Sequence, residues 1–187
     1  MNELLDIEIT VQKLFDSYGG KEKFFTTVKK QLAEFNARWD QDIGAMGRVL
    51  RSHLIVEYYM TAYLQKANPN LGVIDDAQLG FAQKVNLLGE NNVLITALIP
   101  GIRRLNIVRN RLAHNLSVSV TPDDVNSFRS IGIYWAMRKE SEKRSEPFGV
   151  EPLDIYDHFA QFSASSFHHA ASNDSKYWRD ALSIKRK

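Results

Sequence analysis

Ile102-Arg103-Arg104-Leu105-Asn106-Ile107-Val108-Arg109-Asn110-Arg111-Leu112-Ala113-His114 has the spacing of one amphipathic helix. At about 100° per residue, Ile102, Leu105, Val108 and Leu112 fall on one side, with Leu116 just beyond. Arg109 sits at the edge of that stripe. Arg103, Asn106, Asn110 and His114 share an adjoining face. Asn110 and His114 are one turn apart, and Arg109 and His114 are separated by about 7.5 Å along the axis. The sequence Leu116-Ser117-Val118-Ser119-Val120 reads as an extended connector, so the helix is expected to end soon after His114. A helix C-terminus favours a protonated imidazole.

The same period extends outward through the chain. Leu4, Leu5, Ile7, Val11, Leu14 and Phe15 form one helical pattern, stopped by Gly19-Gly20. Lys21 to Trp39 forms a second, and Met46 to Leu64 a third, broken by Asn68-Pro69-Asn70. Leu79 to Leu88 is a further helical stretch, followed by a turn at Gly89 to Asn92. Val93 onward is apolar until Pro100-Gly101, which reads as a break before the motif helix. Thr121 is placed as an N-cap, with Pro122 at the first helical position and Asp124 three residues after the cap. That helix is expected to carry Phe128, Ile131 and Trp135. The charge run Arg138 to Glu146 reads as solvated helix end or loop, and a last helix runs from Pro152 to Ala171. Ile184 to Lys187 is expected to fray. The architecture implied is an all-α, up-and-down bundle in a single domain of 187 residues.

Composition narrows the chemistry. Hydrophobic residues make up 44% and charged residues 25%, a globular balance, and the net charge is only +2. With no cysteine, a thiol nucleophile, a disulfide framework and a cysteine-ligated zinc are excluded. The longest apolar run, Val93 to Ile99, is far short of the roughly 20 residues of a membrane span. The acidic start MNELLDIEIT lacks the pattern of a signal peptide. A cytoplasmic protein without a membrane partner is expected.

Charge is unevenly placed. Between Glu90 and Asp123 there is no acidic residue, yet the interval holds Arg103, Arg104, Arg109, Arg111 and His114. Such a face is either a nucleic-acid footprint or a stripe satisfied by acids elsewhere in the fold. Glu57 is a second oddity, a carboxylate within the apolar face of Met46, Leu50, His53, Leu54, Met60 and Leu64. Buried alone it would destabilise the fold, so it wants a cation. Arg109 is the first candidate. The alternative is that Glu57 reaches the bundle edge or bonds a tyrosine.

Arg109-Asn110-Arg111-Leu112-Ala113-His114 resembles the motif of HEPN (higher eukaryotes and prokaryotes nucleotide-binding) domains: an arginine, commonly followed by a polar residue, then a histidine after four to six intervening positions, here four with Asn110 as the polar residue. Glu57 in an early core helix and Phe81-Ala82-Gln83-Lys84-Val85-Asn86-Leu87-Leu88 before the motif helix are similar to what members of that family show. The resemblance covers about residues 43–140, leaving helical extensions at 1–40 and 150–187. It implies metal-independent RNA cleavage in a cleft between two subunits, with attack by the ribose 2′-hydroxyl and no cofactor. On that reading Arg109, Asn110 and His114 are catalytic. Arg103, Arg104, Arg111 and Asn106 bind RNA, and Glu57 is structural or orienting. His114 is the general acid or base, Arg109 supplies charge at the phosphorane, and Asn110 orients. One histidine per chain makes a homodimer part of the mechanism. A toxin-like protein with a neutralising protein partner fits the same pattern.

Two rivals remain. A catalytically inactive HEPN-like scaffold or regulator, mannitol-repressor-like, would use Arg109 to pair Glu57. A DNA-binding helix would place Arg103, Arg104 and Arg111 on phosphates, although no helix-turn-helix spacing precedes it. Among the other histidines, His53 faces the core. His168-His169 point to different faces. His158 near Asp154 and Asp157 reads as a polar helix face rather than a metal cluster.

Overall fold

The computed structural model describes residues 2–39, 43–90, 92–114, 119–144 and 148–172; the side chains of residues 2–6, 38 and 114 lie outside that description. The expected frayed tail at 184–187 and most of the connector 116–120 also lie outside it. The described residues are helical with no strand: α1 (Asn2–Ser17), α2 (Lys21–Trp39), α3 (Ile43–Ala67), α4 (Phe81–Asn86), α5 (Val93–His114), α6 (Pro122–Arg129), α7 (Gly132–Glu142) and α8 (Pro152–Ala171). The protein is an all-α bundle. No described helix is long and apolar enough to cross a membrane.

The chain divides into two compact units, Met1–Asp42 and Ile43–Lys187. In the first, Gly19 and Gly20 adopt positive φ (77° and 116°) and reverse the chain between α1 and α2. Phe15 and Tyr18 meet Phe24 edge-on, with centroids 5.1 and 5.2 Å apart. This hairpin leaves Val11, Leu14, Leu32, Phe35 and Trp39 exposed.

In the second unit α5 is the central helix, touched by α3, α4, α6, α7 and α8, while α3 and α8 share the longest seam. Ile95, Leu98, Ile102, Leu105 and Val108 of α5 are fully buried, together with Val56 and Met60 of α3 and Phe159 and Phe167 of α8. The seam also carries a polar clamp. Arg48 donates to Asp154 and to Asp157, each at 2.7 Å, and the Ser52 hydroxyl donates to Asp157 at 2.6 Å.

Three expectations about boundaries are corrected. Pro100-Gly101 does not interrupt the chain of turns: α5 is continuous from Val93 to His114 with Pro100 inside it. A proline there loses one backbone bond and crowds the preceding turn. Burial of Ile95 and Leu98 before it and Ile102 and Leu105 after it outweighs that loss. Gly101 is needed because a Cβ at that position would overlap the Phe159 ring and Ile131 Cδ1. Leu79 to Leu88 shortens to Phe81–Asn86, because Gly80 caps the helix and its N–H donates to the Gln83 side chain at 2.8 Å. The helix expected to carry Phe128, Ile131 and Trp135 is two helices. Ser130 bonds back to the Ser127 carbonyl at 2.8 Å, and Ile131 is extended (φ −81°, ψ 94°), which turns its side chain into the core.

The charge run also needs correction at its first residue. Arg138 lies on α7 and is 2% exposed. Its guanidinium pairs with Glu142 at 3.1 Å, donates to the Gly149 carbonyl at 2.8 Å, and lies over the rings of Phe148 and Trp135. Lys139, Glu140, Lys143 and Arg144 are solvated or half-solvated, as expected of such a run.

Candidate functional site

The site is built on the C-terminal half of α5. The stripe Ile102, Leu105, Val108, Leu112 is buried, which turns Arg103, Asn106, Arg109 and Asn110 toward the protein surface. The described part of α5 runs to His114, and the expected helix end just beyond it lies outside the described residues. The His114 side chain lies outside them too.

Arg104 and Arg111 share one carboxylate. Asp124 is 0% exposed, Arg104 pairs with its Oδ1 at 2.7 Å, and Arg111 pairs closely with its Oδ2. Arg111 also donates to the Ser119 carbonyl at 3.2 Å. The N-cap box places this carboxylate. Thr121 donates to Asp124 Oδ2 through its N–H at 2.8 Å and its hydroxyl at 2.9 Å, and the Asp124 N–H returns a bond to the Thr121 hydroxyl. Burial alone would push the Asp124 carboxyl up. The bonds from Arg111 and Thr121 outweigh it and hold the group below the ordinary carboxylate range. Two of the four arginines expected on the basic face therefore fasten α5 to α6.

Arg109 is different. Its Nη1 donates to the Asn110 side-chain oxygen at 3.0 Å. Among the described residues no carboxylate forms an ion pair with it, and its buried Nε has no hydrogen-bond partner. Glu57, its expected partner, is claimed by a cation the sequence reading passed over: Lys84 Nζ lies 3.0 Å from Glu57 Oε1, with side-chain exposures of 9% and 25%. The signal was present. Phe81, Lys84, Val85 and Leu88 have helical spacing, and Lys84 takes an apolar slot among them.

His53 is buried, as expected, and bonded. Its Nε2 lies 3.2 Å from Asn106 Oδ1, its ring packs on Phe81 with centroids 4.1 Å apart, and its Nδ1 lies 4.0 Å from Glu57 Oε2. Burial pushes this imidazole below its ordinary pKa, outweighing the Asn106 bond and the Glu57 charge that pull it up, so it is neutral near pH 7. An amide oxygen only accepts, so Nε2 carries the proton. Arg103 is exposed and donates to Asn86 Oδ1 at 2.9 Å.

The other histidine-carboxylate grouping is not a cluster. His158 Nδ1 faces the Tyr134 hydroxyl at 3.2 Å and its ring meets Phe148, while Asp154 and Asp157 turn to Arg48. Among the described residues no three His, Asp or Glu side chains are placed to hold a metal ion.

The structure thus brings Arg109 and Asn110 together and leaves them open. It couples Asn106 to His53, and it ties Arg104 and Arg111 to Asp124. No protein-family model, no curated protein and no solved structure matches this chain.

Proposed function

We propose that this protein is a HEPN-type, metal-independent endoribonuclease that works as a homodimer. One observation carries the reading. Arg109 is held by Asn110, its own neighbour in sequence, and has no carboxylate partner among the described residues, whereas Arg104 and Arg111 beside it share the Asp124 carboxylate. A guanidinium kept available next to an amide, one to two turns before His114 on the same helix, suits the charge of a phosphodiester.

The chemistry follows from the residue types. An imidazole, His114 of one copy, accepts the 2′-hydroxyl proton as the 2′-oxygen bonds to phosphorus. The bond from phosphorus to the 5′-oxygen breaks, and that oxygen takes a proton from His114 of the second copy. The products are a 2′,3′-cyclic phosphate and a 5′-hydroxyl. Arg109 stabilises the charge that builds on the non-bridging oxygens, and Asn110 fixes the Arg109 fork.

A non-catalytic scaffold is the second reading, favoured by the consumption of Arg104 and Arg111 in one buried ion cluster. The same cluster weakens a DNA-binding helix, which would need both arginines on phosphates. The scaffold reading expected Arg109 to pair with Glu57, and Lys84 takes that place instead. Incubating single-stranded RNA with the protein in EDTA separates these readings. The ribonuclease cuts, and Arg109→Ala removes the cutting. A protein that is monomeric by light scattering at micromolar concentration and leaves every RNA intact contradicts the ribonuclease.

A further inference from the structure

A small pocket of about 240 Å³ opens beside the motif, lined by Phe81, Ala82 and Val85 of α4 and by Arg103, Asn106 and Ile107 of α5. Four of its walls are apolar and two are polar. It is smaller than the roughly 300–1,000 Å³ of sites that enclose whole drug-sized ligands, which suits one planar ring rather than an entire nucleotide. Asn106 is one helical turn before Asn110, about 6 Å along the axis, a gap that one ribose-phosphate unit spans.

The polar walls present donors. Nε2–H of His53 holds Asn106 Oδ1, which leaves the Asn106 amide N–H groups for the pocket. Arg103 uses one N–H on Asn86 and has four others. Among the described residues no carboxylate pairs with Arg103. Apolar walls with donors at the rim fit a flat heterocycle that carries acceptors on its edge.

We propose that this pocket receives the base of a nucleotide next to the cleaved linkage, and that Arg103 and Asn106 select bases with a ring carbonyl, discriminating against adenine. The proposal rests on the ribonuclease reading, and the test keeps the two apart. Adenine offers ring nitrogens but no carbonyl, and its exocyclic amine would face the Arg103 and Asn106 donors with a donor of its own.

The experiment maps cleaved ends on single-stranded RNA of random sequence, in EDTA. The expected result is one position beside the cut at which adenine is depleted roughly tenfold, the size of one hydrogen-bonded discrimination. Arg103→Ala flattens that preference. Ala82→Phe, which fills the pocket from an exposed position on α4, slows cleavage and also erases the preference. Cleavage with no base preference, or a preference untouched in both variants at unchanged thermal midpoints, overturns the pocket and leaves the ribonuclease standing. If the wild type cuts no RNA, the ribonuclease reading fails and the pocket is judged by titration with uridine and adenosine monophosphates. Saturable amide shifts at residues 81–85 and 103–107 with uridine monophosphate, weakened at least tenfold by Ala82→Phe, support it. No saturable shift, or equal shifts with both nucleotides, overturns it.

Discussion

Lys84 Nζ stands 3.0 Å from Glu57 Oε1, and this pair leaves the Arg109 guanidinium free of its nearest expected acid. Lys84 is nearly buried while Glu57 keeps a quarter of its side chain in solvent. The ion pair that joins α3 to α4 is therefore made without Arg109. Lys84→Ala is expected to lower stability by about 1.5–3 kcal/mol, the size of a charged hydrogen bond left half-made. Arg109→Ala is expected to cost under about 1 kcal/mol, because it breaks no ion pair among the described residues. Urea unfolding of the two variants checks the order. A larger loss in Arg109→Ala would return Arg109 to a structural role.

Asp124 is the sink for Arg104 and Arg111, and its removal leaves two cations unpaired around a buried position. Asp124→Asn is expected to cost about 3–5 kcal/mol. The native carboxyl titrates below its ordinary value of 3.8. Its contribution is therefore fully present above that value and is lost as pH falls through the lower native one. Acid unfolding of the wild type should show this loss, and Asp124→Asn should lack it.

His158 acts in the same direction at higher pH. Buried beside Tyr134 and Phe148, with the Arg138 charge nearby, its imidazole is pushed down to about 4 from 6.5. Between those values the unfolded chain binds the proton and the folded chain does not, so stability falls as pH drops from 6.5 to about 4 and levels off below. The full loss amounts to up to about 3 kcal/mol. Thermal midpoints measured from pH 7 to 4 should fall, and His158→Gln should flatten the curve. A wild-type midpoint that is constant across that range would contradict the burial argument.

Gly101→Ala places a methyl against Phe159 and Ile131 in a helix that already tolerates Pro100. A cost of about 1–3 kcal/mol is expected from overpacking, partly recovered by Phe159→Leu in the same chain. Chemical denaturation of the single and double variants measures both.

How much of this was legible depended on whether local signals carried the structure. The helix from Pro152 to Ala171 and the cap at Thr121 were readable because apolar period and capping chemistry both act within a few residues. Pro100-Gly101 misled because proline is a local signal, whereas the burial that keeps α5 whole comes from α3 and α8. Arg138 sits inside a charge run, and only the fold shows that Trp135, Phe148 and the Gly149 carbonyl enclose it. The same holds at the candidate site. The absence of acids between Glu90 and Asp123 identified the basic face, and nothing local said that Asp124, one residue past its end, would pair with two of its arginines. The Arg109–Asn110 bond was not readable, because adjacent residues on a helix point to different faces and the spacing suggested Glu57 and His114 as their partners.

Arg109, Asn110 and His114 are proposed as the working part of an RNA-cleaving site. The most direct test compares wild type and His114→Ala on single-stranded RNA in EDTA, with product ends identified and thermal midpoints matched. The account predicts 2′,3′-cyclic phosphate ends from the wild type and a loss of at least about 100-fold in rate for His114→Ala, the scale of one acid-base group. Undiminished cleavage by His114→Ala, or intact RNA with the wild type, would contradict it.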